Sequence, residues 1–106
     1  MMKSLMFKIF ALSAFLILGI SMGLADDAAA LYQAKCQVCH GADGNGNTAV
    51  GKKHGVPDFH SPEVAKMSDV ELFDITKNGK NKMPAYKSKL TEDQIKSLIK
   101  YIRLLM

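Results

Sequence analysis

Tryptophan is absent from this 106-residue chain, which has only two cysteines and three prolines. Two cysteines cannot build the multi-disulfide framework that supports very small exported domains. Three prolines and eight glycines are too few for a collagen-like or low-complexity polymer. No segment repeats at a spacing of about 20–50 residues, which excludes a solenoid. No run alternates apolar and polar residues with period two, so strands are not expected. The charge imbalance of a disordered chain is also missing, since 14 basic residues face 10 acidic ones in a 48% apolar sequence. What remains is one folded domain at most.

The first residues are excluded from the fold. Met1 to Lys8 carries Lys3 and Lys8 and no acid, and Ile9 to Met22 is almost wholly apolar. Gly23 and Ala25 place small residues where a signal peptidase reads them, so residues 1–25 are expected to be a secretory signal peptide. The alternative is an uncleaved membrane anchor, for which Ile9 to Ala25 is at the short end of the spanning range. Cleavage would leave a mature domain, 26–106, in the periplasm or an equivalent compartment.

That removal takes away two lysines and no acids, so the mature net charge is only +2. No dense basic stripe with interleaved aromatics survives, and nucleic acid is not an expected partner. A domain this small buries little surface on its own account, and a bound cofactor is the expected staple.

Helix signals recur along the mature chain. Asp26 and Asp27 precede Ala28, Leu31, Tyr32 and Lys35 at helical spacing, which predicts a first helix running into Cys36. Gly41 to Gly55 contains five glycines and two asparagines and is predicted to be loop. Ser61-Pro62-Glu63 resembles an N-cap followed by proline at the first helical position, opening a turn of helix through Met67. Ser68-x-x-Glu71 reads as a capping box for a helix containing Val70, Leu72, Phe73 and Ile75, closed by Asn78-Gly79. Thr91-x-x-Gln94 opens a terminal helix whose Ile95, Leu98, Ile99 and Ile102 form one apolar stripe. The predicted fold class is all-α.

The chemistry is concentrated in Cys36-Gln37-Val38-Cys39-His40. In an exported chain, C-x-x-C-H is the attachment signal for a covalent c-type haem. Two thiols three positions apart near a helical turn can each add to one vinyl group on the same porphyrin edge. The adjacent histidine then lies beneath the iron and supplies one axial bond. A thioredoxin-like redox pair would call for a βαβ setting, which is not seen. Zinc could enlist His54 and His60, but it gives no reason for a histidine directly after the second cysteine. Asp43-x-Asn45-x-Asn47 fails as a calcium loop, because Thr48 and His54 stand where glycine and glutamate belong.

A second iron ligand is expected from Met83. It follows a helix stop and precedes Pro84, which disfavours helical backbone at Met83 and leaves its thioether on an extended loop. Met67, at the end of a helical turn, better suits core packing.

The ordered series of Cys36-x-x-Cys39-His40-Gly41, a glycine-rich loop, Gly79-x-x-x-Met83-Pro84-Ala85-Tyr86 and a capped terminal helix resembles the small single-haem class I cytochromes c. The resemblance covers nearly all of residues 26–106. It implies a helical fold wrapped around one covalently attached haem c, with His40 and Met83 on the iron. It also implies that the first and last helices cross, Ala28, Leu31 and Tyr32 meeting Leu98 and Tyr101. Ala28 stands where members often carry glycine, which predicts a slightly wider crossing. The carbonyl of Pro57, in Val56-Pro57-Asp58-Phe59, is expected to orient the His40 imidazole.

The expected function is that of a monomeric periplasmic electron carrier, not an enzyme. A haem-based sensor or peroxidase-like enzyme would need Met83 to be labile, and an electron-transfer subunit of a larger complex is a second alternative. Charge suggests the partner. Asp26 to Thr76 sums to −4, whereas Lys77, Lys80, Lys82, Lys87 and Lys89 make Lys77 to Lys89 +5. The positive end surrounds Met83 and predicts redox partners with acidic docking surfaces.

Overall fold

A computed structural model describes residues 24–106. The predicted signal peptide, 1–25, lies outside the described residues except for Leu24 and Ala25, and so does the choice between leader and anchor. Six helices follow in the described chain: α1 Leu24–Lys35, α2 Gln37–His40, α3 Ala49–His54, α4 Pro62–Ala65, α5 Asp69–Asn78 and α6 Glu92–Leu105. No strand is present among the described residues, only an isolated antiparallel bridge between Lys80 and Met83.

Local chemistry starts α4, α5 and α6 where the sequence signals them. Thr91 Oγ1 accepts the Gln94 amide at 3.1 Å, while Gln94 Oε1 accepts the Thr91 amide at 2.8 Å, which completes a capping box for α6. Ser68 caps α5 by accepting the Glu71 amide at 3.1 Å. Its hydroxyl also donates to Glu71 Oε1 at 3.3 Å, so the reciprocal half of the predicted box is replaced by a side-chain pair. Ser61 caps α4, which ends at Ala65 instead of reaching Met67.

The predicted loop from Gly41 to Gly55 is corrected by the structure. Thr48 is an N-cap, with φ −122° and ψ 162°, and α3 runs from Ala49 to His54 before Gly55 ends it. The five glycines of that window masked a capped turn that needs only six residues.

The core forms where α6 lies across α1. Tyr32, Phe59, Val64, Leu90, Ile95, Leu98, Ile99 and Ile102 make one buried cluster. All four residues of the predicted α6 stripe belong to it, and Leu98 is fully enclosed. Burying each such side chain contributes about 1.5–3 kcal/mol. Ala28 is buried at the crossing, and the Tyr32 and Tyr101 rings meet at 5.2 Å with planes tilted by 49°. The expected crossing of first and last helices is therefore present. On α5, Val70 faces water and the buried position is Thr76, whose hydroxyl donates to the Leu72 carbonyl at 2.8 Å. The far end of α6 is fastened by Arg103, which donates from Nε to Asp69 Oδ1 at 2.9 Å and from its terminal nitrogens to the Ala65 and Met67 carbonyls.

Candidate functional site

The C-x-x-C-H segment occupies a short helix of its own. The backbone turns at Cys36, with φ −116°, and α2 then carries Gln37 to His40. The amides of Cys39 and His40 both donate to the Cys36 carbonyl, at 3.2 and 3.0 Å, so both thiols and the imidazole ride on one rigid turn. The cysteines are half-buried and not disulfide-bonded to each other. Burial, together with the neighbouring Cys39, pushes the Cys36 thiol up to about 11. Above the motif, Tyr32 donates from its hydroxyl to the Gly41 carbonyl at 2.6 Å, linking the helix crossing to the end of α2.

His40 carries the strongest sign of a missing partner. Its Nδ1 atom is buried without a hydrogen bond, and burial lowers its pKa below the ordinary imidazole value. The ring is therefore neutral near pH 7 and keeps a lone pair available to a metal. Phe59 stacks on it, with centroids 4.7 Å apart and planes inclined by 27°. An enclosed ring nitrogen without a partner costs stability in a bare polypeptide, and a half-buried imidazole of this kind beside two free thiols fits the haem predicted from sequence. The expectation for Pro57 is not met, because no carbonyl pairs with Nδ1. The Val56–Phe59 segment turns instead toward the glycine-rich loop, where the Phe59 amide donates to the Gly44 carbonyl at 2.8 Å.

Met83 lies in a tight reversal after α5. Lys80 and Met83 exchange backbone hydrogen bonds of 3.2 and 2.9 Å around Asn81, which takes φ +55°. Gly79 precedes the turn at φ +80° and ψ 166°, a region open essentially only to glycine. A Cβ there would lie 2.8 Å from the Met83 carbonyl oxygen. Tyr86 fixes the outgoing arm of the loop. Its amide donates to the Thr76 carbonyl at 3.1 Å, and its hydroxyl donates to the Lys35 carbonyl at 3.0 Å, one residue before Cys36. The thiols of Cys36 and Cys39 are near enough to raise the Tyr86 pKa, after burial, which has the larger effect. The methionine loop is thus fastened directly to the entrance of the attachment motif.

A family model described as cytochrome C oxidase, cbb3-type, subunit III matches residues 23–102. The fold of the KustC0563 c-type cytochrome superposes on this chain with a TM-score of 0.68 and 34% sequence identity, covering 74% of this chain and 95% of that one. This chain belongs to the class I cytochromes c. The cytochrome is also 32% identical over 77 residues to cytochrome c6 of Gracilaria tenuistipitata var. liui. It is 30% identical over 76 residues to cytochrome c6 of Synechococcus sp. (strain ATCC 27167 / PCC 6312). These alignments cover 68% and 72% of this chain, but only 64% and 65% of the relatives' own lengths. As a member of the family, the cytochrome binds haem c covalently through thioether bonds.

Phe59, Thr48 and Gly79 shape the site without having been singled out as site residues in the sequence. A signal existed for one of them, since glycine four residues before Met83 marks a backbone that must pass close to its neighbour. His54 and His60 stand on the surface. His60 is tied from Nδ1 to Asp58 and from Nε2 to the Leu105 carbonyl, each at 2.7 Å. Neither histidine joins the cysteines, and no metal-binding group of three such side chains exists among the described residues. A groove of about 460 Å³ lies elsewhere, between Asp27 and Leu31 of α1 and Asp93 and Ser97 of α6. It contains none of the motif residues and is not the haem site.

Proposed function

We propose that the cytochrome is a single-electron carrier, with haem attached through Cys36 and Cys39 and its iron held by His40 and Met83. When bound, the haem supplies a ferrous–ferric couple. The observation that carries this reading is the half-buried His40, whose Nδ1 atom is enclosed without a hydrogen-bond partner, on the same turn as two free thiols. His40 contributes a neutral nitrogen that its surroundings hold still. Met83 contributes a thioether, which favours the ferrous state and raises the potential relative to a second imidazole. With His40 and Met83 both holding the iron, no coordination position would be left for substrate, which favours a carrier over a sensor or peroxidase. Tyr86 and Gly79 hold the two ligand segments in fixed relation, so little rearrangement accompanies each electron.

Residues 1–25 direct export in this reading, and the domain 26–106 works as a monomer in the periplasm. Among the described residues no helix is long and apolar enough to cross a membrane. Electrons leave toward acidic partner proteins drawn by the lysines around Met83. Lys77 is engaged with Glu92 at 3.0 Å, so the steering charge falls on the exposed Lys80, Lys82, Lys87 and Lys89. The family model's description, an oxidase subunit, favours a second reading in which the same domain passes electrons within a larger complex.

A redox titration followed by visible absorption tests the assignment. The ferric protein is expected to show the weak long-wavelength band of a methionine–iron bond. Met83→Ala is expected to abolish that band, lower the potential and admit carbon monoxide to the reduced protein. If Met67→Ala did this and Met83→Ala did not, the ligand would be misassigned. Rapid carbon monoxide binding by the unaltered protein at neutral pH would favour the sensor or enzyme.

A further inference from the structure

The last carbonyls of a helix need partners from outside it, and in α2 these are the carbonyls around the attachment motif. Gln37 is satisfied by the Gly41 amide at 2.8 Å and His40 by the Gly46 amide at 2.8 Å. The Val38 and Cys39 carbonyls share one partner, the hydroxyl of Thr48, whose single proton is directed between them at 2.9 and 3.0 Å. The same oxygen accepts the Gly51 amide at 2.8 Å and so caps α3. Gly51 makes the arrangement possible. A Cβ there would strike the Cys39 carbonyl oxygen and approach the Gly46 carbonyl oxygen to 2.5 Å.

These contacts bear on His40 in a specific way. The Cys39 carbonyl belongs to the peptide entering His40, and the His40 carbonyl to the peptide leaving it. Thr48 pins the first plane and Gly46 the second, which fixes both backbone torsions at His40. Phe59 then restrains the ring itself. We propose that Thr48 is a positioning residue for the iron ligand His40, its hydroxyl setting the backbone from which the imidazole reaches the haem. This rests on the reading of His40 as axial ligand. The competing role is that of a simple N-cap for α3.

Substitutions at Thr48 separate the two roles. Thr48→Ser keeps both donor and acceptor. Thr48→Val removes both at nearly constant volume. Thr48→Asp keeps an acceptor for the Gly51 amide, which is what an N-cap needs, but presents no proton to the Val38 and Cys39 carbonyls. Potentials and His40 ring-proton shifts are measured by titration and paramagnetic NMR on the holoproteins, with thermal unfolding alongside. Thr48→Ser is expected to match the unaltered protein. Thr48→Val and Thr48→Asp are expected to shift the His40 resonances and lower the potential, with Thr48→Asp retaining more stability than Thr48→Val. A Thr48→Asp protein with unaltered potential and His40 shifts would overturn the proposal, as would a Thr48→Ser protein displaced like Thr48→Val. If Thr48→Asp fails to accumulate with haem, the comparison of Val with Ser decides. Should the His40 ring show no paramagnetic shift in the unaltered ferric protein, the ligand assignment itself fails, an outcome distinct from the others.

Discussion

Replacing Gly79 with alanine tests how the methionine loop is held. At φ +80° and ψ 166° the glycine occupies backbone space that costs other residues about 1–3 kcal/mol. Contact adds to this. The new Cβ would lie 2.8 Å from the Met83 carbonyl oxygen, 3.0 Å from the Ala85 nitrogen and 3.1 Å from the Pro84 carbonyl carbon. All three are backbone atoms, so no flexible side chain can yield, and the clash is relieved only by moving the loop. Overpacking of this kind adds about 1–3 kcal/mol, for a combined loss of about 2–4 kcal/mol when the two overlap. A domain this size loses about 4–8 °C in Tm per kcal/mol, so a fall of at least about 8 °C is expected in holoprotein melts followed by circular dichroism. Gly55→Ala is the control. Its φ of +65° and ψ of 37° are left-handed, but no atom lies within 4 Å of the added Cβ, so only the conformational cost of about 1–2 kcal/mol applies. The Gly79 variant is also expected to lose the methionine–iron band, which Gly55→Ala should keep. Equal destabilisation of the two variants, or a Gly79→Ala protein with its band intact, would refute the argument that this close approach positions Met83.

Haem should stay on the polypeptide through denaturing electrophoresis, and the double change Cys36→Ala, Cys39→Ala should leave a haem-free, unfolded product by circular dichroism; a folded, haem-free variant would contradict the covalent assignment. His60 should titrate above its ordinary value, because its hydrogen bonds to Asp58 and to the Leu105 carbonyl favour the protonated ring, while Asp58 is lowered by its bonds to His60. The clasp therefore adds stability above the range where Asp58 protonates and below His60's unfolded pKa, and loses it as pH rises through the raised folded value. NMR titration and melts across that range check this, and a His60 titrating at or below its ordinary value would remove the basis for it. Electron-transfer rate to an acidic partner should fall as ionic strength rises, since the screening length is about 8 Å at physiological salt. Lys80→Glu with Lys82→Glu should slow the reaction and flatten that dependence, and an unchanged rate would deny the lysines a docking role.

The terminal helix was the most readable part of the sequence. Thr91 and Gln94 announced the start of α6, and the spacing of Ile95, Leu98, Ile99 and Ile102 named its buried face, because both signals are local. Residues 41–55 were hard for the opposite reason. Five glycines overwhelmed the propensity signal, and the helix there is stabilised by Thr48 and by close approach to α2, which appears only in three dimensions. Val70 illustrates a further limit. It matched the apolar pattern of α5, yet it faces water while Thr76 is buried through a hydrogen bond to its own helix. The positions of Cys36, Cys39, His40 and Met83 were legible as a motif. The stacking of Phe59 on His40 and the tether from Tyr86 to Lys35 were not, since each joins residues far apart in sequence.

The contacts between Thr48 and α2 join residues only nine or ten positions apart. The α1–α6 crossing instead must bring together Tyr32 and Tyr101. A ten-residue loop closes in about 10–100 ns. Closing the longer span costs about 1.7 kcal/mol more in chain entropy, by the logarithmic dependence on loop length. The neighbourhood of the two thiols is therefore set to take shape before the helices on either side of the core have met. A chain emerging unfolded would present its cysteines already bent into a turn, with the crossing completed later. Pulsed hydrogen exchange during refolding reads this order directly: the Gly46 and Gly51 amides should gain protection ahead of those in α6, and simultaneous protection would mean that the motif waits for the whole fold.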